Sequence, residues 1–211
     1  MLSASTRVLL VLCLLACAGA AVFFRRRQNA GGGRGGRISG PKVAWLLYAV
    51  FLWFLVCPLV ALDASVPFEA RIVLGSFAVS MWLRGAAELY MLYVSRNWRP
   101  PYGVGHDLGC IALVGAGLVY TGEKWAGALD GRDLWALALV GLVLVTLVVE
   151  VAYAALFHQA VEGRTTGEDG VWFADAEQAR FRRINRLTFA LNVPLYAALA
   201  GLLAVGLGLN G

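Results

Sequence analysis

The sequence is poor in charge. Only 15% of its 211 residues are Asp, Glu, Lys or Arg, and 13 of them are acidic. A water-soluble domain of this length needs more polar surface than that, so a free-standing soluble enzyme or binding module is excluded. Histidine is scarcer still, with His106 and His158 alone. A metal centre built on three or four imidazoles is therefore out of reach. The four cysteines, Cys13, Cys17, Cys57 and Cys110, show no CxxC spacing and no nearby histidine pattern. They read as reduced packing residues, not as a zinc site or a disulfide framework. The glycine-rich stretch 29–37 lacks the Gly-Lys-Ser/Thr ending of a phosphate-cradling loop. No serine or cysteine stands in a nucleophile motif, no paired aspartates mark a phosphotransferase, and no internal repeat is visible.

Apolar residues are what the chain has in abundance, 60% of the total. They arrive in blocks of about twenty, the length an α-helix needs to cross a hydrocarbon core of about 30 Å at about 1.5 Å per residue. The expected fold is a single all-α integral membrane domain over residues 1–211. It is a bundle of about six transmembrane helices near residues 7–24, 43–62, 72–95, 108–120, 134–157 and 187–209, with both termini outside. A basic, glycine-rich linker, 25–42, separates the first two helices. A longer polar segment, 158–186, joins the last two, and its second half has the marks of a short interfacial helix: Asp175 and Gln178 as a capping box, and Trp172 and Phe173 as anchors. Within the last helix Ala200, Ala204 and Gly208 form a small-residue stripe suited to close packing.

Charge placement orients the bundle. With both termini outside, the cytoplasmic segments hold thirteen basic residues against four on the other side, Arg7, Arg71, Lys124 and Arg132. This bias is the positive-inside pattern and points to a bacterial inner (plasma) membrane. The net charge of +5 resides in these loops, so its expected partners are anionic lipid headgroups and not nucleic acid. A rival reading takes Leu14-Leu15-Ala16-Cys17 as a lipoprotein cleavage box. It would leave only a short apolar remnant after Cys17 and strand Arg25, Arg26 and Arg27 outside, inverting every later helix.

Charges inside a bilayer cost on the order of 3 kcal/mol each and so face the bundle interior. Glu88 and Glu150 both lie sixteen residues from the outer ends of helices that run in the same direction. Asn192 and Tyr48 enter from the inner side to a similar depth. Arg84 precedes Glu88 by one turn on the same helix face. The expected polar layer is Arg84, Glu88, Glu150, Asn192 and Tyr48, with Arg84 bridging the two glutamates and one proton kept by the pair of carboxylates.

A second group of candidates lies at the cytoplasmic face: Arg99, His106, Asp107, His158, Glu162 and Arg183. The proline pair Pro100-Pro101 is expected to keep residues 96–107 out of helix, which places His106 and Asp107 in a turn. His106, Asp107, His158 and Glu162 have metal-ligand chemistry but no evident supporting shell, so no metal, haem or other cofactor is expected. The function read from the residues is a small transporter-like protein or an accessory subunit of a membrane complex with possible protein partners. The alternative is a membrane enzyme acting on lipid headgroups, with His106 or Asp107 as base and Arg99 or Arg183 holding phosphate.

Overall fold

The computed structural model describes residues 2–31, 37–95, 101–124, 130–161 and 179–209. Six helices are long and apolar enough to cross a membrane, and no strand occurs among the described residues. The chain is thus an all-helical, multi-pass integral membrane protein. Helix α1 is Ala4–Ala30 and α2 is Gly40–Leu62. Helix α3 is Phe68–Leu89, α4 is Pro101–Lys124, α5 is Gly131–Val161 and α6 is Arg182–Leu207. Each begins earlier than expected, but α3 ends as α-helix at Leu89 where 95 was expected, and α6 ends at Leu207 where 209 was expected.

Local chemistry explains where the helices begin and end. The Ser3 hydroxyl accepts the Thr6 N–H at 3.3 Å to cap α1, and Ser39 accepts the Lys42 N–H at 3.2 Å to cap α2. Pro41 occupies the first turn of α2, where a missing N–H costs nothing. Pro101 opens α4 for the same reason, which corrects the expectation that residues up to 107 stay out of helix. The Asp130 carboxylate accepts from the N–H groups of Arg132 and Asp133 at 2.7 and 2.9 Å to start α5. Helix α6 ends at Gly208, whose φ of 76° suits glycine and lets Leu209 N–H reach Ala204 O at 2.9 Å. Arg25, Arg26 and Arg27 do not end α1. They continue it as an exposed helical extension to Ala30.

Two π-helical segments interrupt the spans. Leu52–Val56 precedes Pro58, which has no N–H to return to the preceding turn, and the wider π register absorbs that gap. Tyr90–Val94 extends α3 beyond Leu89, just past Glu88.

Helices α2 to α6 form a closed ring in chain order, because α2 packs on α3, α3 on α4, α4 on α5, α5 on α6, and α6 back on α2. Helix α1 lies outside this ring against α2 and remains largely exposed. The ring interior is filled by Leu52, Val56, Leu74, Phe77, Leu139, Val143 and Leu147, all fully buried. Buried threonines satisfy themselves on their own helices, as Thr121, Thr146 and Thr188 donate to the carbonyls four residues earlier.

Both termini of the helical array meet at one end of the bundle. Leu2 N–H donates to Gly206 O at 3.2 Å, and Arg7 donates through Nε to Leu2 O at 2.7 Å and through Nη1 to Leu207 O at 3.2 Å. Ser3 N–H donates to Asp63 Oδ2 at 2.8 Å, while the Ser65 N–H and hydroxyl both donate to Oδ1. Burial alone would raise the Asp63 pKa, but these donors, with the Thr6 hydroxyl, hold its carboxyl well below the usual range. Asp63 is the clasp of this end. The polar layer lies toward the opposite one.

Candidate functional site

Arg84 sits on the inward face of α3, two turns beyond Phe77. Its Nε donates to Glu88 Oε1 at 2.9 Å, the i, i+4 contact legible in the sequence. Its second partner is new: Nη1 donates to Asp107 Oδ1 on α4. Asp107 is entirely buried, and its other oxygen, Oδ2, has no hydrogen-bond partner among the described residues. Gly103 makes the approach feasible, because a Cβ there would stand 3.0 Å from an Arg84 nitrogen. With Gly103 bare, the guanidinium lies against the first turn of α4.

The expected direct bridge from Arg84 to Glu150 is corrected by this geometry. Glu150 is near enough for its charge to act on Arg84, but its hydrogen-bond donor is the indole of Trp45, whose Nε1 reaches Oε2 at 3.2 Å. Asp107 outcompetes it because α3 and α4 are sequential neighbours in the ring, whereas α3 touches α5 only across the interior. Lys42, expected in the linker, instead lies within α2 with its ammonium 4.9 Å from the centre of the Tyr153 ring and close enough to interact with Glu150.

Around Glu150 the aromatic residues of α2, α5 and α6 pack together, Trp45 on Tyr153 edge to face and on Tyr48 stacked. Trp45 and Tyr153 meet at 4.6 Å between centroids, and Tyr48 stands 5.6 Å from both Trp45 and Tyr196. Several polar tips tie the helices together. The Tyr48 hydroxyl pairs with Thr146 Oγ1 at 2.7 Å, the Tyr196 hydroxyl donates to Ala44 O, and Asn192 Nδ2 donates to Pro41 O. Tyr48 and Asn192 therefore belong to the expected region, but they bind helices together and do not touch the carboxylates.

Lys42, Arg84, Glu88, Asp107 and Glu150 thus form an intramembrane set contributed by four helices. Three carboxylates face two cations, so the layer carries one negative charge in excess when all are ionised. A single proton neutralises it, and unbalanced charge in this setting is strongly penalised.

His106 borders the set. Its Nδ1 lies 3.5 Å from Asp107 Oδ1, its Nε2 lies 3.0 Å from Ser80 Oγ, and the Cys110 sulfur is 3.7 Å from either ring nitrogen. The expected cytoplasmic cluster is not assembled among the described residues. Asp107 is buried in the layer, His106 sits in the α3–α4 seam, and His158 and Arg183 are exposed on α5 and α6. Arg99 and Glu162 lie outside the described residues, as do Trp172, Phe173, Asp175 and Gln178. No group of three His, Cys, Asp or Glu side chains is arranged to hold a metal among the described residues.

Sequence reasoning missed Lys42, Trp45, Ser80 and the role of Asp107. A signal existed for two of them. Proline in a first helical turn is favourable, so Pro41 and Pro101 announce helices that begin early enough to carry Lys42 and Asp107 inward. Gly103, Asp107, Cys110 and Val114 then recur at helical spacing, and all four are buried. Nothing distinguished Ser80.

No family model matches the chain, and no curated protein sequence or solved structure matches it significantly.

Proposed function

We propose that the chain is a small transporter-like protein of the bacterial inner membrane whose charged layer carries a proton or binds a polar solute, with both termini outside. The observation supporting this is the layer itself: five ionisable side chains from four helices, short of one positive charge, with the buried Asp107 Oδ2 lacking a partner among the described residues. A relay needs a vacancy for a proton. The cytoplasmic arginines and anionic headgroups would then set the orientation.

The test is proton flux into liposomes reconstituted with purified protein, loaded with a pH-sensitive dye and polarised by a potassium gradient. The reading expects flux above protein-free vesicles and its loss in Glu150→Gln. Wild-type protein with no flux at either polarity would refute the relay. A second reading, an accessory subunit, draws on α1, whose Leu9, Leu12, Leu15 and Phe23 are exposed on a helix touching only one flank of the ring. Intact-mass measurement from native lipid would reveal a retained protein partner.

A further inference from the structure

The α3–α4 seam sets two side chains from outside the charged layer, Ser80 and His106, beside one of its members, Asp107. Ser80 Oγ faces His106 Nε2 at 3.0 Å, and Asp107 stands on the Nδ1 side of the same ring. A carboxylate on that side favours the Nδ1–H tautomer, which leaves Nε2 unprotonated and able to accept the Ser80 hydroxyl. Nε2 also lies 3.2 Å from the Ser80 carbonyl, an oxygen that only accepts, so this contact forms in the state where Nε2 has taken up a proton and holds the imidazolium over this one residue. Asp107 cannot swing away, because Arg84 grips it and Gly103 admits the guanidinium. This is the contact order of a nucleophile, a base and a group that positions the base.

The surroundings say what such a set would meet. Ser80 and His106 are half-buried and lie at the edge of the seam, not at its centre, which is occupied by Met81, Asp107, Cys110 and Val114. Outward from them the helices present small residues. Ser76 and Gly109 are exposed, and a Cβ at Gly109 or Gly105 would meet nothing within 4 Å. Beyond these stand exposed Val79, Leu83 and Leu113. His106 lies five residues into α4, about 8 Å from that helix's start, a depth close to the membrane interface.

We propose that Ser80 and His106 form an ester-cleaving site open to the membrane, with Asp107 as the positioning residue, and that its substrate is a carboxylic ester bearing a long acyl chain held in the bilayer. Ser80 Oγ bonds to the ester carbonyl carbon while its proton passes to His106 Nε2. The carbon–oxygen bond to the alcohol breaks, and the same proton goes to the departing alkoxide. Water, deprotonated in turn by His106, attacks the acyl–Ser80 ester, releasing the acid and returning the proton to Ser80. Ester and water give acid and alcohol. This site stands whether or not the charged layer moves protons.

The experiment treats the full-length protein in lipid nanodiscs with a long-chain alkyl fluorophosphonate and with a short polar one, and maps the adduct by mass spectrometry. The expected result is phosphonylation of Ser80, faster with the long-chain probe, and at least a hundredfold slower in His106→Gln. Asp107→Asn should lower the maximal labelling rate with the half-saturating probe concentration unchanged, and Asp107→Glu should recover part of it. A merely structural carboxylate would not give that split. Ser80 left unmodified in folded wild-type protein would overturn the proposal, as would labelling indifferent to His106→Gln. Faster labelling by the short probe would overturn the assignment to a bilayer ester. Because phosphonylation of Ser80 and the preference between the two probes are read in wild-type protein, those two outcomes do not depend on any variant folding.

Discussion

Replacing Arg84 with methionine keeps much of its apolar stem and removes its charge. The buried Asp107 then loses its guanidinium partner, and breaking a buried ion pair from one side costs about 3–5 kcal/mol. The contact with Glu88 adds little, because that carboxylate is 26% exposed and exposed i, i+4 pairs are worth about 0.3–0.5 kcal/mol. For a chain of this size the loss corresponds to an apparent melting temperature lower by roughly 6–20 °C. Adding Asp107→Asn removes the stranded charge and should restore most of the loss, giving a coupling energy above about 1.5 kcal/mol. Arg84→Met with Glu150→Gln should couple more weakly, since Glu150 acts on Arg84 only through its charge and takes its hydrogen bond from Trp45. Thermal scans of the singles and both doubles, in one detergent at one heating rate, separate the two pairings. Additivity for Arg84 with Asp107, together with strong coupling for Arg84 with Glu150, would refute the pairing.

Gly117→Val should destabilise by about 1–3 kcal/mol in the same scans through overpacking, because a Cβ there would already lie 2.5 Å from a Val73 methyl; Gly201→Ala, in open space, should be neutral or stabilising. Asp63→Asn should lower the melting temperature at neutral pH, since the carboxyl's depressed pKa contributes stability only where it is ionised. That penalty should be constant above the unfolded value of about 3.9 and shrink as pH falls below it, so a penalty that grows on acidification would count against the clasp. Cysteine substituted for Asp130 in a background lacking native cysteines should react with an impermeant thiol reagent in intact cells, and cysteine at Thr165 should not; the reverse pattern would invert the proposed orientation.

Much of the architecture was legible before any coordinates. Six apolar blocks give six helices, since no other structure but a closed barrel satisfies its backbone inside a bilayer. The intrahelical contact of Arg84 with Glu88 follows from four-residue spacing alone. Helix starts were less legible, because Pro101 was taken as a breaker when its position made it an opener. That one error moved Asp107 from the layer to the surface.

By itself, then, the sequence determined that this chain lives in a membrane, how many times it crosses, and which polar residues are costly enough to need partners, because hydropathy and helix length are properties of contiguous residues. Which partner each residue took was decided only in three dimensions. The ring order of the helices put α4 beside α3 and gave Arg84 to Asp107, left Glu150 to Trp45 and Lys42, and brought His106 against Ser80. Such pairings depend on which helices are neighbours and on how each is rotated about its own axis, and close packing of side chains between helices sets that rotation.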